Sequence, residues 1–218
     1  MLHQYSRAIH WFRRDLRLTD NTALREATIH SGEVIPLYVL SYWEKNHAWT
    51  GGKRQKFLCE CLASLAGNID HLGGELIIRK GDAVSEILKL VRESKAEAIY
   101  FNEDVDPFGQ EIEARLKKEA TVPVHNYQDA ALHGPEDVLK GDGTPYRVYT
   151  PFSKRWIPLE KPKPKGRPKQ LKSPVGIKSL PLPTLKMWGL QDEDWETVPG
   201  GEKAARQRMK EALSDRLA

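Results

Sequence analysis

The first 130 residues alternate in a way that leaves few folds open. Short apolar runs take turns with longer segments whose apolar side chains recur every three or four positions, the pattern of strands alternating with amphipathic helices. Arg7 to Phe12 reads as a strand, followed by a helix over Thr22 to His30 whose start is marked by Asp20-Asn21. Glu33 to Leu40 is a nearly unbroken apolar strand of the kind covered on both faces. Arg54 to Leu72 places Phe57, Leu58, Cys61, Leu62, Leu65, Ile69 and Leu72 on one helical stripe, ended by Gly73-Gly74. Glu75 to Arg79 is a third strand. Asp82 then caps a helix carrying Val84, Ile87, Leu88 and Val91. A strand at Ala98 to Phe101, a helix at Pro107 to Ala120 and a strand at Val122 to Tyr127 complete the series. The expected fold class is α/β: a five-stranded parallel, doubly wound, Rossmann-like sheet with helices on both faces.

Beyond Tyr127 the alternation stops. Tyr146 to Trp156 is aromatic and polar, and nine of the 14 prolines lie between Pro151 and Pro199. Proline density of that order predicts an extended linker with no regular helix or central strand. Glu202 to Leu217 reads as a charged helix with a thin apolar face, as if it packs on something outside the chain. The predicted layout is an α/β domain over 1–130, its closing segment over 131–157, a Pro-rich basic linker over 158–201 and the first helix of a further domain over 202–218.

The net charge of +4 is unevenly spread. Lys154 to Lys172 holds eight basic residues against one acid, Glu160, a local +7 that leaves the remainder at −3. That cluster has two readings, a phosphate-contacting strip on DNA or a solvated linker wrapping the domain. No apolar run approaches the ~20 residues of a membrane-spanning helix, and no secretory leader precedes Ile9, so a cytoplasmic location and no membrane partner are expected. Cys59 and Cys61 are two apart on a helix, a spacing unsuited to a disulfide or a metal pair. The seven histidines form no metal-ligand spacing, so no metal is expected. Neither a Gly-x-Gly-x-x-Gly nor a Gly-x-x-x-x-Gly-Lys-Ser/Thr loop occurs, and there is no Gly-x-Ser-x-Gly elbow. Dehydrogenase, P-loop and serine-hydrolase chemistries are thereby disfavoured.

The chemistry-bearing residues fall at strand carboxyl ends, where open parallel sheets bind ligands. Trp11-Phe12-Arg13-Arg14-Asp15-Leu16-Arg17-Leu18-Thr19-Asp20-Asn21 follows the first strand, and Asn102-Glu103-Asp104-Val105-Asp106-Pro107 follows the fourth. Salt bridges that merely order a loop account for Arg17 and Asp20 as well as a ligand does, and acids near a helix start are favoured by its dipole in any case. Together the two loops could hold a planar polar heterocycle by directional hydrogen bonds.

The first of these loops resembles the opening signature of the DNA photolyase and cryptochrome family. The resemblance continues through Asn102-x-Asp104-x-Asp106-Pro107-Phe108-Gly109, through Tyr146-x-Val148-Tyr149-Thr150-Pro151-Phe152-x-x-x-Trp156, and through Leu182-Pro183-x-Leu185 with Pro199-Gly200-Gly201-Glu202. It implies an amino-terminal domain that binds an antenna chromophore and passes excitation to FAD. In the family that FAD lies in an all-helical domain following this point, which also binds damaged DNA. The implied activity of the full-length parent is that of a deoxyribodipyrimidine photo-lyase, a carbon-carbon lyase repairing cyclobutane pyrimidine dimers. The 218 residues alone would be inactive, with no catalytic residue among them. A cryptochrome photoreceptor is the alternative, and a stand-alone nucleotide-binding α/β module a distant one.

Where folate-binding members carry an Asn-Glu pair, this chain reads Phe108-Gly109, while Asp104-x-Asp106 with Arg54 resembles deazaflavin-binding members. A deazaflavin is therefore the favoured antenna, with FMN, a methenyl-folate or no antenna as the other possibilities. The candidate chromophore contacts are Arg13, Arg14 and Asp15 after the first strand, Leu40 and Ser41 after the second, Arg54 on the helix, and Asn102, Asp104 and Asp106 after the fourth. Trp11, Trp43, Trp49, Trp156, Trp188 and Trp195 are read as packing and anchoring residues, not as the family's electron chain.

Overall fold

A computed structural model describes residues 3–41, 51–134, 136–191 and 197–215. Its centre is an all-parallel sheet of β1 (Tyr5–Phe12), β2 (Ser31–Leu40), β3 (Ile77–Lys80), β4 (Ala98–Asn102) and β5 (Val124–Tyr127), in the order β3-β2-β1-β4-β5. All five strands were legible in the apolar runs, with ends displaced by no more than two residues.

Strand side chains alternate between faces, and the alternation on β1 divides the core in two. Ala8 and Phe12 join Leu24 and Ala27 of α1 (Thr22–His30) and Leu62, Leu65 and Ile69 of α2 (Gly52–Asp70). Ile9 and Trp11 face the other way, onto Val84, Ile87 and Leu90 of α3 (Ala83–Ser94) and Leu116 of α4 (Pro107–Glu119). The sheet is thus covered on both sides, which is why its strands read as continuous apolar runs.

Local chemistry fixes where these helices begin and end. The Asn21 side chain accepts from Leu24 N at 3.0 Å, and Asp82 accepts from Ser85 N at 3.0 Å. Each satisfies a backbone donor that the first helical turn leaves unpaired. Past α2, Gly73 takes φ +85° and Gly74 N returns to Ile69 O at 3.1 Å. On α3 the buried stripe runs through Leu90, and Leu88, expected on it, is only half-buried.

The proline-rich half corrects one expectation. Proline density predicts no regular helix from Pro151 onward, yet Pro151 sits inside α5 (Tyr149–Trp156). It is the third helical residue, where the backbone N–H has no intrahelical acceptor, so its loss costs nothing. From 158 to 180 the chain carries no helix or strand and bonds back onto the domain. Leu171 N donates to Leu72 O at 2.9 Å, Lys172 O accepts from Val34 N at 2.8 Å, and Leu180 N donates to Ile78 O at 2.9 Å. A 3₁₀ turn at Leu185–Trp188 precedes α6 (Glu202–Asp215).

Gly200 and Gly201 set the line on which α6 leaves. A Cβ on Gly200 would lie 2.9 Å from Cys61 N, and Gly201 adopts φ +102° with the Ser64 side chain against it. Any larger residue would lift α6 off α2. Of the tryptophans, Trp11 is buried, Trp188 packs against the core, and Trp156 stacks edge-on to His133 with Lys161 Nζ 4.1 Å from its ring. Trp43, Trp49 and Trp195 lie outside the described residues. No described helix is long and apolar enough to cross a membrane.

Candidate functional site

In the order β3-β2-β1-β4-β5, the chain leaves β1 toward α1 on one face and leaves β4 toward α4 on the other. The two loops therefore splay apart at the carboxyl edge, the position where such sheets open a ligand crevice. A cleft of about 1360 Å³ begins there. Its walls are the β1 loop from Arg13 to Arg17, Tyr38 and Ser41 of β2 and its end, and Arg54, Phe57, Leu58 and Cys61 of α2. Asp106 closes one end, and Glu202, Ala205, Arg206, Met209 and Lys210 of α6 form the far side.

The nine residues singled out from the sequence separate into two groups. Arg13, Arg14, Asp15, Ser41, Arg54 and Asp106 line the cleft, whereas Leu40, Asn102 and Asp104 do not. Leu40 is buried in the α1–α2 face of the core. Asn102 is 5% exposed and sits at the hub of a hydrogen-bond network. Its Nδ2 donates to Asp15 Oδ2 at 2.7 Å and Asn21 Oδ1 at 2.8 Å, and its Oδ1 accepts from Ala23 N at 3.0 Å. Asp15 also accepts from Arg13 N at 2.9 Å and Asn21 Nδ2 at 2.9 Å, so its carboxylate is largely spent on ordering the loop.

Adjacent arginines have opposite duties. Arg13 turns inward, ion-paired to Glu113 and 3.5 Å from Asp104, with its guanidinium 4.7 Å from the Trp11 ring centroid. Arg14 has a side chain 70% exposed at the cleft, with Nε 3.1 Å from Asp104 Oδ2 and a guanidinium nitrogen 3.6 Å from Asp106 Oδ2. Asp104 thus holds both arginines from behind the wall. Asp106 caps α4, accepting from Phe108 N at 3.0 Å. Asp106→Ala is expected to cost about 1 kcal/mol of stability through the lost cap, and Arg14→Ala less than about 0.5 kcal/mol. Thermal denaturation of the two variants checks the order, and a reversed order would show that Arg14 is the structural member.

Three acids hold the site together in roles that no local sequence pattern reveals. Glu113 accepts from Asp104 N at 2.7 Å, Asp129 pairs with Arg17 at 2.5 Å and accepts from the Thr22 hydroxyl at 2.6 Å, and Glu202 accepts from Leu18 N at 2.9 Å. Burial raises the Asp129 carboxyl above its ordinary value, against the opposing pull of Thr22 and Arg17. Glu202 lies below its ordinary value: its bonds to Thr19, Leu18 and Arg206 outweigh the cost of burial. Their partners are 112 and 184 residues away for Arg17 and Leu18, beyond any local pattern.

The cleft combines an apolar wall with two cations left over. Phe57, Leu58, Tyr38, Cys61, Ala205 and Met209 provide the apolar surface. Burial pushes the Tyr38 phenol up to about 12 and raises the Cys61 thiol, so both stay neutral. Among the described residues, Arg54 on α2 and Lys210 on α6 carry no ion pair, and both line the cleft. No group of metal-ligating side chains occurs among the described residues. The arrangement suits a flat, conjugated ring with polar edges and an anionic substituent, bound without covalent chemistry.

A sequence model of the DNA photolyase family matches residues 8–169. The chain is 34% identical to a deoxyribodipyrimidine photo-lyase of Synechococcus sp., over 95% of its own length and 45% of that relative's. It is 36% identical to the deoxyribodipyrimidine photo-lyase of Agrobacterium fabrum, over 81% of its own length and 37% of the relative's. The solved structure of a class III photolyase from Agrobacterium tumefaciens superposes with a TM-score of 0.85 at 29% identity, covering 98% of this chain and 46% of that one. The chain spans less than half the length of these relatives.

Proposed function

The chain belongs to the DNA photolyase family, and on that premise we propose that it is the light-harvesting α/β domain of a deoxyribodipyrimidine photo-lyase. The observation that carries this reading is the cleft at the carboxyl ends of β1 and β2, bounded by α2, α6 and Asp106, with its apolar wall and the uncommitted Arg54 and Lys210. A bound antenna would absorb near-ultraviolet or blue light and pass its excitation to FAD. What this chain supplies is position. Phe57, Leu58 and Met209 would hold a ring face against the apolar wall, and Arg14 and Asp106 would fix its polar edge by donating and accepting hydrogen bonds. The favoured chromophore is a deazaflavin, with FMN, a methenyl-folate or no antenna as the alternatives.

In the whole protein, residues 202–218 would open an all-helical domain carrying FAD and the damaged DNA, and residues 158–201 would be the link to it. The exposed Met209 and Leu213 on α6 support that assignment, since a helix with such a face gains by packing. Cyclobutane pyrimidine dimer repair would then belong to the whole protein, and this chain alone would neither bind FAD stoichiometrically nor repair dimers in light.

The test is a fluorescence titration of the purified chain with a deazaflavin, FMN and a methenyl-folate in parallel. Saturable deazaflavin binding is expected, weakened about tenfold by Phe57→Ala, which forfeits roughly 1–2 kcal/mol of apolar contact. Phe57 is 44% exposed, so its thermal midpoint should hardly move. Binding of none of the three would overturn the antenna reading.

A further inference from the structure

We propose that the arch from Pro164 to Lys169 is a minor-groove arm, a site by which this domain binds A·T-rich duplex DNA whether or not the DNA is damaged. The proposal rests on neither the cleft nor any chromophore. Lys161-Pro162-Lys163-Pro164-Lys165-Gly166-Arg167-Pro168-Lys169 carries five cations and no acid. Its alternating prolines hold the backbone extended and remove N–H donors that would otherwise need partners.

The fold presents this segment with its ends tied down. Asp20 N donates to Lys165 O at 2.8 Å, and Lys165 N donates back to Asp20 Oδ1 at 2.8 Å. Lys165 Nζ donates to the Thr22 hydroxyl at 3.1 Å. At the other end Leu171 is 1% exposed, and Leu171 N and Lys172 O are both bonded to the domain. Gly166, Arg167 and Lys169 stand exposed between these anchors. Among the described residues, Arg167 and Lys169 have no ion pair and no side-chain hydrogen bond, unlike Lys165 and Lys161. An arch ordered in advance spends less conformational entropy on binding than a free tail.

Gly166 shows what kind of ligand the arch fits. Among the described residues nothing needs a glycine there: an added Cβ meets no atom within 4 Å, and its φ is not in the left-handed region. An alanine would reduce the entropy of the unfolded chain at no steric cost. A glycine at such a place permits close approach of another surface to the backbone. The minor groove of B-DNA, about 6 Å wide, admits an extended backbone only where no side chain points at its floor. Arg167 then extends along the groove with Lys169 following it, while Lys165 stays tied to Asp20 and Thr22 at the arch's base, and Pro164 and Pro168 direct the chain back out. A·T tracts are favoured twice. Their groove is narrower and more negative, and their floor lacks the guanine amino group that would meet Gly166. Contact with phosphates alone would not call for a glycine. An anionic lipid surface is disfavoured because the arch has no apolar side chain other than proline to insert.

Fluorescence anisotropy of the 218-residue chain, in the dark, decides the matter with two short undamaged hairpin duplexes, one with an A·T core and one with a G·C core. At about 50 mM salt the A·T duplex should bind roughly tenfold more tightly, with affinity falling steeply toward about 200 mM. Arg167→Ala should lose roughly tenfold on the A·T duplex and little on the G·C one. Gly166→Val should lose at least as much with its circular dichroism and thermal midpoint unchanged. No binding at the lower salt, equal affinity for the two duplexes, or an unimpaired Gly166→Val would each overturn the proposal. Equal binding of the chain to heparin or anionic vesicles would overturn it too, by showing a general polyanion strip.

Discussion

Asn102→Ala is expected to lower the unfolding free energy by about 3 kcal/mol, the largest effect of any single substitution near the site. The side chain makes three hydrogen bonds in a nearly water-free position. Removing it leaves Ala23 N–H without its acceptor and strips one donor each from Asp15 and Asn21. The penalty is that of buried polar groups left unpaired, which exceeds the net worth of the bonds themselves. Asn102→Asp makes the stricter test, because it keeps the volume and the acceptor facing Ala23. It replaces a donor with a carboxylate against Asp15, 2.7 Å away in the parent, so it should be at least as unstable at neutral pH. Urea denaturation followed by circular dichroism measures both. An alanine variant within about 1 kcal/mol of the parent would mean that water substitutes freely for the side chain.

The second large effect is a loss of stability in mild acid centred on His10. This residue is fully buried on β1, with neither ring nitrogen hydrogen-bonded, and its ring meets Phe12 edge-on at 4.3 Å. Burial lowers its pKa from 6.5 to about 4, against a smaller opposing effect of the Asp15 charge. The folded state therefore keeps His10 neutral where the unfolded chain already binds a proton. The stability associated with His10 is fully present above pH 6.5 and is lost as the pH falls toward 4. The loss amounts to about 3 kcal/mol. His10→Leu should be as stable as the parent at pH 7 or more so, since two unpaired polar atoms disappear from the core. The stability difference between variant and parent should then widen steadily from pH 6.5 to 4. Taking that difference cancels slopes shared by both proteins, including that of His125, whose pKa burial also lowers. A constant difference over this range would show that the ring finds a proton acceptor or a buried water in solution.

Both expectations concern residues whose importance differs from what their sequence neighbourhood suggested. The sequence places Asn102 with Asp104 and Asp106 as a candidate ligand contact, and in the fold it supports the β1 loop that lines the cleft. His10 carries no local signal beyond its place in an apolar strand. Arg13 and Arg14 are adjacent and chemically identical, and nothing within a few residues distinguishes them. The distinction comes from Glu113, about a hundred residues on, which claims Arg13 and leaves Arg14 at the cleft.

The elements themselves are a different matter. Five strands, four flanking helices, the Asp82 cap and the glycine stop after α2 were all legible, because each depends on interactions spanning a few residues. Apolar periodicity, a capping oxygen three residues from its donor and a positive φ are written locally, and a parallel α/β sheet offers few ways to assemble them. The Trp11–Asn21 signature likewise carried the family, since it is contiguous. α5 escaped because proline density outweighed the position of one proline in the first turn. What only the tertiary structure decided is the pairing of charges and the closure of the cleft. Asp129 and Glu202 meet Arg17 and Leu18 through the fold, and α6 reaches the cleft because Gly200 and Gly201 let it pass against α2. A charge's partner is set by distance in space and by burial, and neither is a function of separation along the chain.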